Sequence, residues 1–139
     1  HSTSWSRGVD LYSYAEIDAI DKNDKYRMMD ISARGSNRDG AALRYVAEQL
    51  SKRDEEVRIL ILVSDGQPAD AGYSGTAAEE DLRGIKQEYK RKGLLFVAAA
   101  IGDDKQNIER IYGDSFLDIT DLNQLPMKLT AVIKRFMRF

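Results

Sequence analysis

Two continuous apolar runs, separated by one amphipathic segment, constrain the fold more than any other feature of this sequence. The first run is ILILV, residues 59–63, and the second is LLFVAAAI, residues 94–101. Runs of this length and composition are typical of parallel strands that are covered on both faces. We therefore predict two buried strands, and both are far shorter than the roughly 18 to 20 apolar residues that cross a bilayer.

The segment between the two runs is predicted to be a helix. Residues 76–79, TAAE, match a capping box, in which the hydroxyl and the carboxylate each accept a free backbone N–H. The basic run at residues 90–92 suits the negative end of a helix dipole, and Gly93 supplies a left-handed cap. Side chains at helical spacing form one apolar stripe between these ends: Ala78, Leu82, Ile85 and Tyr89.

Helices and strands alternate on both sides of this unit. Further helices are predicted over residues 39–52, 104–112 and 123–138, and further strands over residues 9–14 and 115–119. Residues 18–25 are too charged for either element and are predicted to form a loop. The inward side chains of the last helix are predicted to be Leu125, Leu129, Val132, Ile133 and Phe136. This order predicts a three-layer, doubly wound α/β fold with a mainly parallel sheet.

Composition narrows the possible partners and the compartment. The chain has 139 residues, of which 42% are hydrophobic, and this fits a single domain. A net charge of -2 provides no positive field, so we expect neither nucleic acid nor a membrane as a partner. The chain has no cysteine, which excludes disulfides, thiol catalysis and zinc–thiolate sites. Because this also suits a reducing compartment, we expect a cytoplasmic protein.

Acidic and polar side chains are expected to meet at one edge of the sheet. Asp65 follows the first apolar run directly, and ligands of open α/β sheets bind at the carboxyl ends of strands. Residues 36–40, SNRDG, open the preceding helix and are expected to face the same edge. Oxygen ligands of this kind favour Mg²⁺ or Mn²⁺. The alternative roles are structural, since Asp–Gly is a common turn and Asp39 is a suitable helix cap.

Four segments taken together resemble the von Willebrand factor A domain: SNRDGAAL, ILILVSDGQPAD, FVAAAIG and DITDLNQLP. More narrowly, they resemble the bacterial branch at the carboxyl end of cobaltochelatase-type and nitric oxide reductase activation proteins, over nearly the whole chain. In that family a metal ion dependent adhesion site takes ligands from three loops. The resemblance places Asp65 at the third-loop Asp, Asn37 at the second-loop Thr, and Asp39 as a nearby carboxylate.

The first-loop motif of that family, Asp-x-Ser-x-Ser, does not occur in this sequence. The resemblance implies that residues 9–14 match an antiparallel edge strand and that the opening strand–helix–strand lies upstream of His1. We therefore expect a carboxyl-terminal fragment of a longer protein, forming one domain over residues 1–139. Without the first-loop ligands, this chain alone is expected to bind Mg²⁺ weakly or not at all.

The leading hypothesis is a protein-binding module rather than an enzyme. Asp65, Asn37 and Asp39 would hold the cation, and its open position would accept a carboxylate from a partner protein. The resemblance implies that the parent works with a MoxR-type AAA+ ATPase in metal insertion or metalloenzyme activation. The alternatives are a Mg²⁺- or Mn²⁺-dependent phosphohydrolase that uses Asp65 and Asp70, and a scaffold with an empty metal site.

A strand-swapped homodimer is also predicted. Residues 59–63 would present an unpaired apolar edge if this chain folds alone, and exposed strand edges recruit other strands. A second copy is expected to fill the vacancy by donating residues 9–14.

Overall fold

The computed structural model describes residues 1–3, 8–32, 34–102, 105–119 and 121–137, and describes Leu122 by its backbone alone. The strands are β1 Ser2–Thr3, β2 Val9–Asp10, β3 Arg58–Ser64, β4 Leu94–Ala100 and β5 Phe116–Asp118. The α-helices are α1 Asp24–Arg27, α2 Asp39–Ser51, α3 Gly75–Arg91, α4 Lys105–Tyr112 and α5 Leu125–Phe136. The described residues also form 3₁₀ turns at Met28–Asp30, Gly113–Ser115 and Leu122–Gln124.

The main sheet has the order β3-β4-β5, and all of its strands are parallel. β3 and β4 pair over seven residues, from Arg58 opposite Leu94 to Ser64 opposite Ala100. β1 and β2 form a separate antiparallel pair. A parallel sheet flanked by helices confirms the predicted α/β, Rossmann-like class. Because the strands are parallel, the carboxyl ends of β3, β4 and β5 lie at one edge of the sheet.

The hydrophobic core lies between one face of this sheet and helices α2, α3 and α4. Leu60 of β3, Phe96 of β4 and Ile85 of α3 are buried there in the same cluster. The Phe96 ring also stacks on Tyr112 of α4, with 5.6 Å between ring centroids. Aromatic pairs of this kind contribute beyond the area that they bury. The predicted stripe on α3 is confirmed, because its members are buried: Ala78, Leu82, Ile85 and Tyr89.

The opposite face of the sheet is covered at β4 and open at β3. Ile61 and Val63 are 39% and 49% exposed, whereas their neighbours Val97 and Ala99 on β4 are buried. The prediction of a strand covered on both faces is therefore right for β4 and wrong for β3. The reason is that β3 lies at the edge of the sheet, since β4 is the one strand that pairs with it among the described residues.

The predicted capping box of α3 is wrong. The helix begins at Gly75 with Ser74 as its N-cap, and Ser74 makes no side-chain cap bond. Gly75 has a φ of 60°, which is a conformation that favours glycine. The helix therefore begins one residue before Thr76. Glu79 is instead buried and accepts bonds from Arg110 of α4 and from Arg83. A buried carboxylate is strongly drawn to such cations, and this competes with capping.

The amino-terminal segment differs in part from the prediction. Only Val9–Asp10 of the predicted strand 9–14 is a strand, because its partner Ser2–Thr3 offers two residues for pairing. Residues 18–23 lie outside helices and strands as predicted, but α1 begins at Asp24, whose carboxylate accepts the Asp21 N–H. No residue of the range 8–32 is fully buried.

The carboxyl-terminal helix α5 is confirmed, but its packing is looser than predicted. Leu125, Leu129, Val132 and Ile133 are half-buried, and Phe136 is 41% exposed. The predicted starting residue of α4, Asp104, and the predicted last residue of α5, Arg138, lie outside the described residues. No helix in the described part of the chain is long and apolar enough to cross a membrane.

Candidate metal centre

Asp65 lies at the rim of the sheet, directly after the last residue of β3. The parallel ladder extends to this point, because the Ile101 N–H donates to the Ser64 carbonyl at 3.0 Å. The chain then turns sharply, and the Gly66 N–H donates to the Ser64 hydroxyl at 3.4 Å. The turn leaves Asp65 exposed at the carboxyl end of the strand, where open α/β sheets bind ligands.

The loop that precedes α2 is bonded to the loop that follows β3. The Asn37 N–H donates to the Ala69 carbonyl at 3.3 Å, and the Ala69 N–H donates to Asn37 Oδ1 at 3.1 Å. The first of these bonds belongs to an isolated antiparallel bridge between Asn37 and Ala69, which lie 32 positions apart in the sequence, and the second adds the Asn37 side chain to it. The predicted meeting of the two polar loops at one rim is therefore seen in the structure.

Arg38 strengthens this connection. Its Nε donates to Asp70 Oδ2 at 2.9 Å, its Nη2 donates to the same oxygen, and Nη2 also donates to the Ala71 carbonyl at 3.1 Å. The Asp70 side chain is only 8% exposed, so this ion pair is largely removed from water. Asp70 is consequently engaged by a guanidinium rather than presented to the rim.

Asp39 opens α2 beside these loops, and its side chain is 13% exposed. Burial raises the pKa of this carboxyl to about 6, the Asn37 amide N–H lowers it in part, and the Asp65 charge raises it further. His1 Nε2 lies 3.0 Å from Asp39 Oδ1. A divalent cation would favour the ionised form of Asp39, because it would replace the repulsion from Asp65 by attraction.

The predicted site residues Asp65, Asn37 and Asp39 are all brought to this rim. Within the ranges that the structure describes, no group of three or more His, Cys, Asp or Glu side chains is placed to hold a metal. The donor set is thus two carboxylates from two loops, and these are ligands that Mg²⁺ and Mn²⁺ accept. Two carboxylates suit a Mg²⁺-type ion that keeps several waters, so the residues present fit such an ion.

Sequence reasoning missed the contact of Arg38 with Asp70. The signal was available, because Arg38 is the one cation in SNRDG and Asp70 is the second acid of the loop after β3. The sequence could not show that Asp70 is buried, and burial is what makes a nearby cation necessary.

A cleft of about 450 Å³ borders the rim on the α2 side, and Arg38, Gly40, Tyr73 and Asp81 are among the residues that line it. Gly40 packs closely here, since a Cβ at this position would have to displace the Tyr73 hydroxyl and the Asp81 carboxylate. That hydroxyl donates to Asp81 Oδ2 at 2.7 Å. The start of α2 is therefore fixed against α3, and Asp39 is fixed with it.

Comparison with known proteins identifies relatives of this chain. The family model described as "Cobalamin biosynthesis protein CobT VWA domain" matches residues 15–138. The uncharacterized protein YojO of Bacillus subtilis is 26% identical over 79% of this chain and 18% of its own length. Protein NorD of Brucella suis is 28% identical over 68% of this chain and 16% of its own length. The uncharacterized protein PA0525 of Pseudomonas aeruginosa is 30% identical over 81% of this chain and 19% of its own length.

The chain thus spans less than a fifth of the length of these relatives. No solved structure gives a significant match. The match of the family model over residues 15–138 confirms the resemblance found in the sequence, and the NorD match supports its narrower branch. The chain belongs to the family of CobT-type von Willebrand factor A domains.

Proposed function

We propose that this domain is a divalent-cation-dependent protein-binding module. Asp65 and Asp39 hold Mg²⁺ or Mn²⁺ at the rim, with Asn37 beside them, and the open coordination position accepts a carboxylate from a partner protein. The observation that carries the proposal is the bonding of the Asp65 loop to the loop of Asp39, whose side chain is 13% exposed and whose pKa the Asp65 charge raises. Two carboxylates that the fold holds together repel each other, and a bound cation would replace this repulsion by attraction.

The small number of protein ligands supports binding by an external carboxylate. Mg²⁺ demands near-octahedral coordination and usually keeps several waters when a protein supplies only one or two carboxylates. A partner's Asp or Glu side chain would displace one of these waters. The module would therefore bind an acidic side chain only when the cation is present.

The names of the relatives suggest where such a module works. The family model is described as belonging to a cobalamin biosynthesis protein, and NorD relatives match across 68% of this chain. We place the parent protein beside a MoxR-type AAA+ ATPase, assisting metal insertion or metalloenzyme activation, as the resemblance implies. Because such a partner hydrolyses ATP, the proposed location is the cytoplasm.

The engagement of Asp70 favours a binding module over a phosphohydrolase. A hydrolase that used Asp65 and Asp70 would need both carboxylates at the reacting centre. Arg38 instead neutralises Asp70 at the side of the loop. A scaffold with an empty site remains the alternative that metal binding would exclude.

Titration with Mn²⁺ tests the proposal, because the electron paramagnetic resonance signal of free Mn²⁺ falls as the ion binds. The wild-type chain is expected to bind one Mn²⁺ weakly, and Asp65→Asn is expected to abolish binding. Asp54→Asn is the matched control, since Asp54 is an exposed acid in the loop that leads into β3, at the opposite edge of the sheet. Equal binding by all three proteins would contradict the assigned site.

Three further measurements address the open coordination position, catalysis and the partner. Acetate should lower the water proton relaxation enhancement of bound Mn²⁺ in the wild-type chain, because a carboxylate replaces a coordinated water. Hydrolysis of p-nitrophenyl phosphate that requires Mn²⁺ and disappears in Asp65→Asn would support the phosphohydrolase instead. Mg²⁺-dependent binding to a MoxR-type ATPase, lost in Asp65→Asn and on adding EDTA, would support the proposed partner.

A further inference from the structure

The side-chain amide of Asn37 is bonded at both of its ends. Its Oδ1 accepts the Ala69 N–H at 3.1 Å, and its Nδ2 donates to Asp39 Oδ1 and Oδ2 at 3.2 and 3.3 Å. The Ala69 N–H is only a donor and the ionised Asp39 carboxylate is only an acceptor. A flipped amide would place donor against donor and oxygen against carboxylate, so these partners fix the orientation of the amide.

This orientation turns the potential metal-binding atom of Asn37 away from Asp39. Oδ1 faces the loop after β3, whereas the amide N–H groups face both oxygens of the carboxylate. A cation held by Asp39 would therefore have the amide N–H groups of Asn37, rather than Oδ1, beside the same carboxylate. We infer that Asn37 is a positioning residue of the cation site, which orients Asp39 and ties the two loops, and is not itself a ligand.

The inference rests on the proposed function. Arg38 independently supports the part of it that says the two loops are tied together. Arg38 adds bonds from the same loop to Asp70 and to the Ala71 carbonyl. Residues 37 and 38 thus contact residues 69, 70 and 71 in order. These contacts form a loop clamp. The clamp holds the Asp65 loop beside Asp39, although the two carboxylates repel each other in the absence of a cation.

The chemistry of the amide explains why a hydroxyl would not replace it. An amide separates its acceptor from its donor, so it can bond to groups on opposite sides. The threonine expected at this position from the family resemblance has a single oxygen, which is a suitable metal ligand but a poor bridge between Ala69 and Asp39. Asn37→Thr therefore keeps an oxygen ligand and removes the bridge.

The experiment compares the wild-type chain, Asn37→Thr and the same-loop control Ser36→Ala. Hydrogen exchange of the Ala69 amide is measured without metal, and Mn²⁺ affinity is measured by electron paramagnetic resonance. A positioning role predicts that Asn37→Thr speeds Ala69 exchange about tenfold. It also predicts a loss of Mn²⁺ affinity of roughly 10- to 100-fold, the range typical of residues that orient ligands. Urea denaturation checks that the variants stay folded.

The outcomes separate this inference from the proposed function. Mn²⁺ affinity of Asn37→Thr within about threefold of the wild-type value would assign Asn37 as a ligand and overturn the inference. Ala69 exchange that is equally fast in the wild-type chain and in Asn37→Thr would also overturn it. If the wild-type chain binds no Mn²⁺, the proposed function fails, and the exchange of Ala69 alone then decides whether the Asn37 clamp exists.

Discussion

β3 and β4 are neighbouring strands with similar apolar sequences, but they differ sharply in burial. Every residue of Leu94–Ala100 except Leu95 is buried, whereas only Leu60 is buried in Arg58–Ser64. β4 lies between two strands, and β3 pairs with β4 alone within the described ranges. The comparison shows that an apolar sequence permits burial, and that the elements around a strand decide whether burial occurs.

Removing one large side chain from each strand tests this contrast most strongly. Phe96→Ala is expected to lower the free energy of unfolding by about 3–5 kcal/mol, because Phe96 is buried and stacks on Tyr112. Ile61→Ala is expected to cost less than about 1 kcal/mol, because Ile61 is 39% exposed. Urea denaturation of both variants measures the difference. Equal costs would mean that the open face of β3 is covered in solution.

The loop clamp, formed by residues 37 and 38 with residues 69–71, is expected to stabilise β3, whose side chains are less buried than those of β4. Arg38→Gln leaves the Asp70 carboxylate, which is 8% exposed, without its cation. We expect a cost of about 2 kcal/mol, below the value for a fully buried pair because Arg38 is itself 29% exposed. Urea denaturation gives the cost, and hydrogen exchange should quicken in β3 more than in β4.

The double variant Arg38→Gln with Asp70→Asn provides the control. It removes the buried charge, so it should recover most of the lost stability. A double variant as unstable as Arg38→Gln alone would show that the ion pair is not the source of the effect.

The fold class was predictable from the sequence, but the environment of each strand was not. The runs at residues 59–63 and 94–101 and the stripe on α3 are local patterns, because each depends only on residues that are close in the sequence. The start of α3 was mispredicted, because Glu79 pairs with Arg110, which lies 31 residues away. A contact at that separation leaves no local pattern.

The candidate site shows the same limit. Asp65 and Asp39 could be placed at one rim, because the carboxyl ends of parallel strands share an edge. The orientation of the Asn37 amide could not be predicted, since it depends on the Ala69 N–H across the rim. Sequence alone therefore identifies which residues meet at the rim, and the structure is needed to separate ligands from the residues that hold them.

The pH dependence of stability is expected to come partly from the rim beside β3. Burial raises the pKa of Asp39 to about 6 from its ordinary value of 3.8, so Asp39 holds its proton more often in the folded chain than in the unfolded chain between these values. The contribution of Asp39 to stability should therefore fall as pH rises from about 4 to about 6, by roughly 1–2 kcal/mol. Urea denaturation across this interval measures the change.

A His1→Gln background avoids titration of the neighbouring imidazole, which lies 3.0 Å from Asp39. Adding Asp39→Asn in that background should flatten the dependence. A pH dependence that Asp39→Asn leaves unchanged through the same interval would contradict the burial of this carboxyl.

The smallest expected effect on stability concerns the edge of β3 that has no pairing strand among the described residues. The predicted homodimer, in which a second copy supplies a strand to β3, remains a prediction. Ile61→Lys should change the stability of the monomer by less than about 1 kcal/mol, but it should shift the chain toward monomer in sedimentation velocity. Ile20→Lys is the control, because Ile20 is 85% exposed and lies outside the strands. A wild-type chain that is monomeric at all concentrations would refute the homodimer.

Soaking crystals of the chain with Mn²⁺ and locating the ion by its anomalous scattering tests the central claim most directly. The account predicts one peak within coordination distance of Asp65 and Asp39, with the Asn37 Nδ2 still donating to Asp39 and its Oδ1 outside the coordination shell. A peak elsewhere, or a Mn²⁺ ion coordinated by Asn37 Oδ1, would contradict the account.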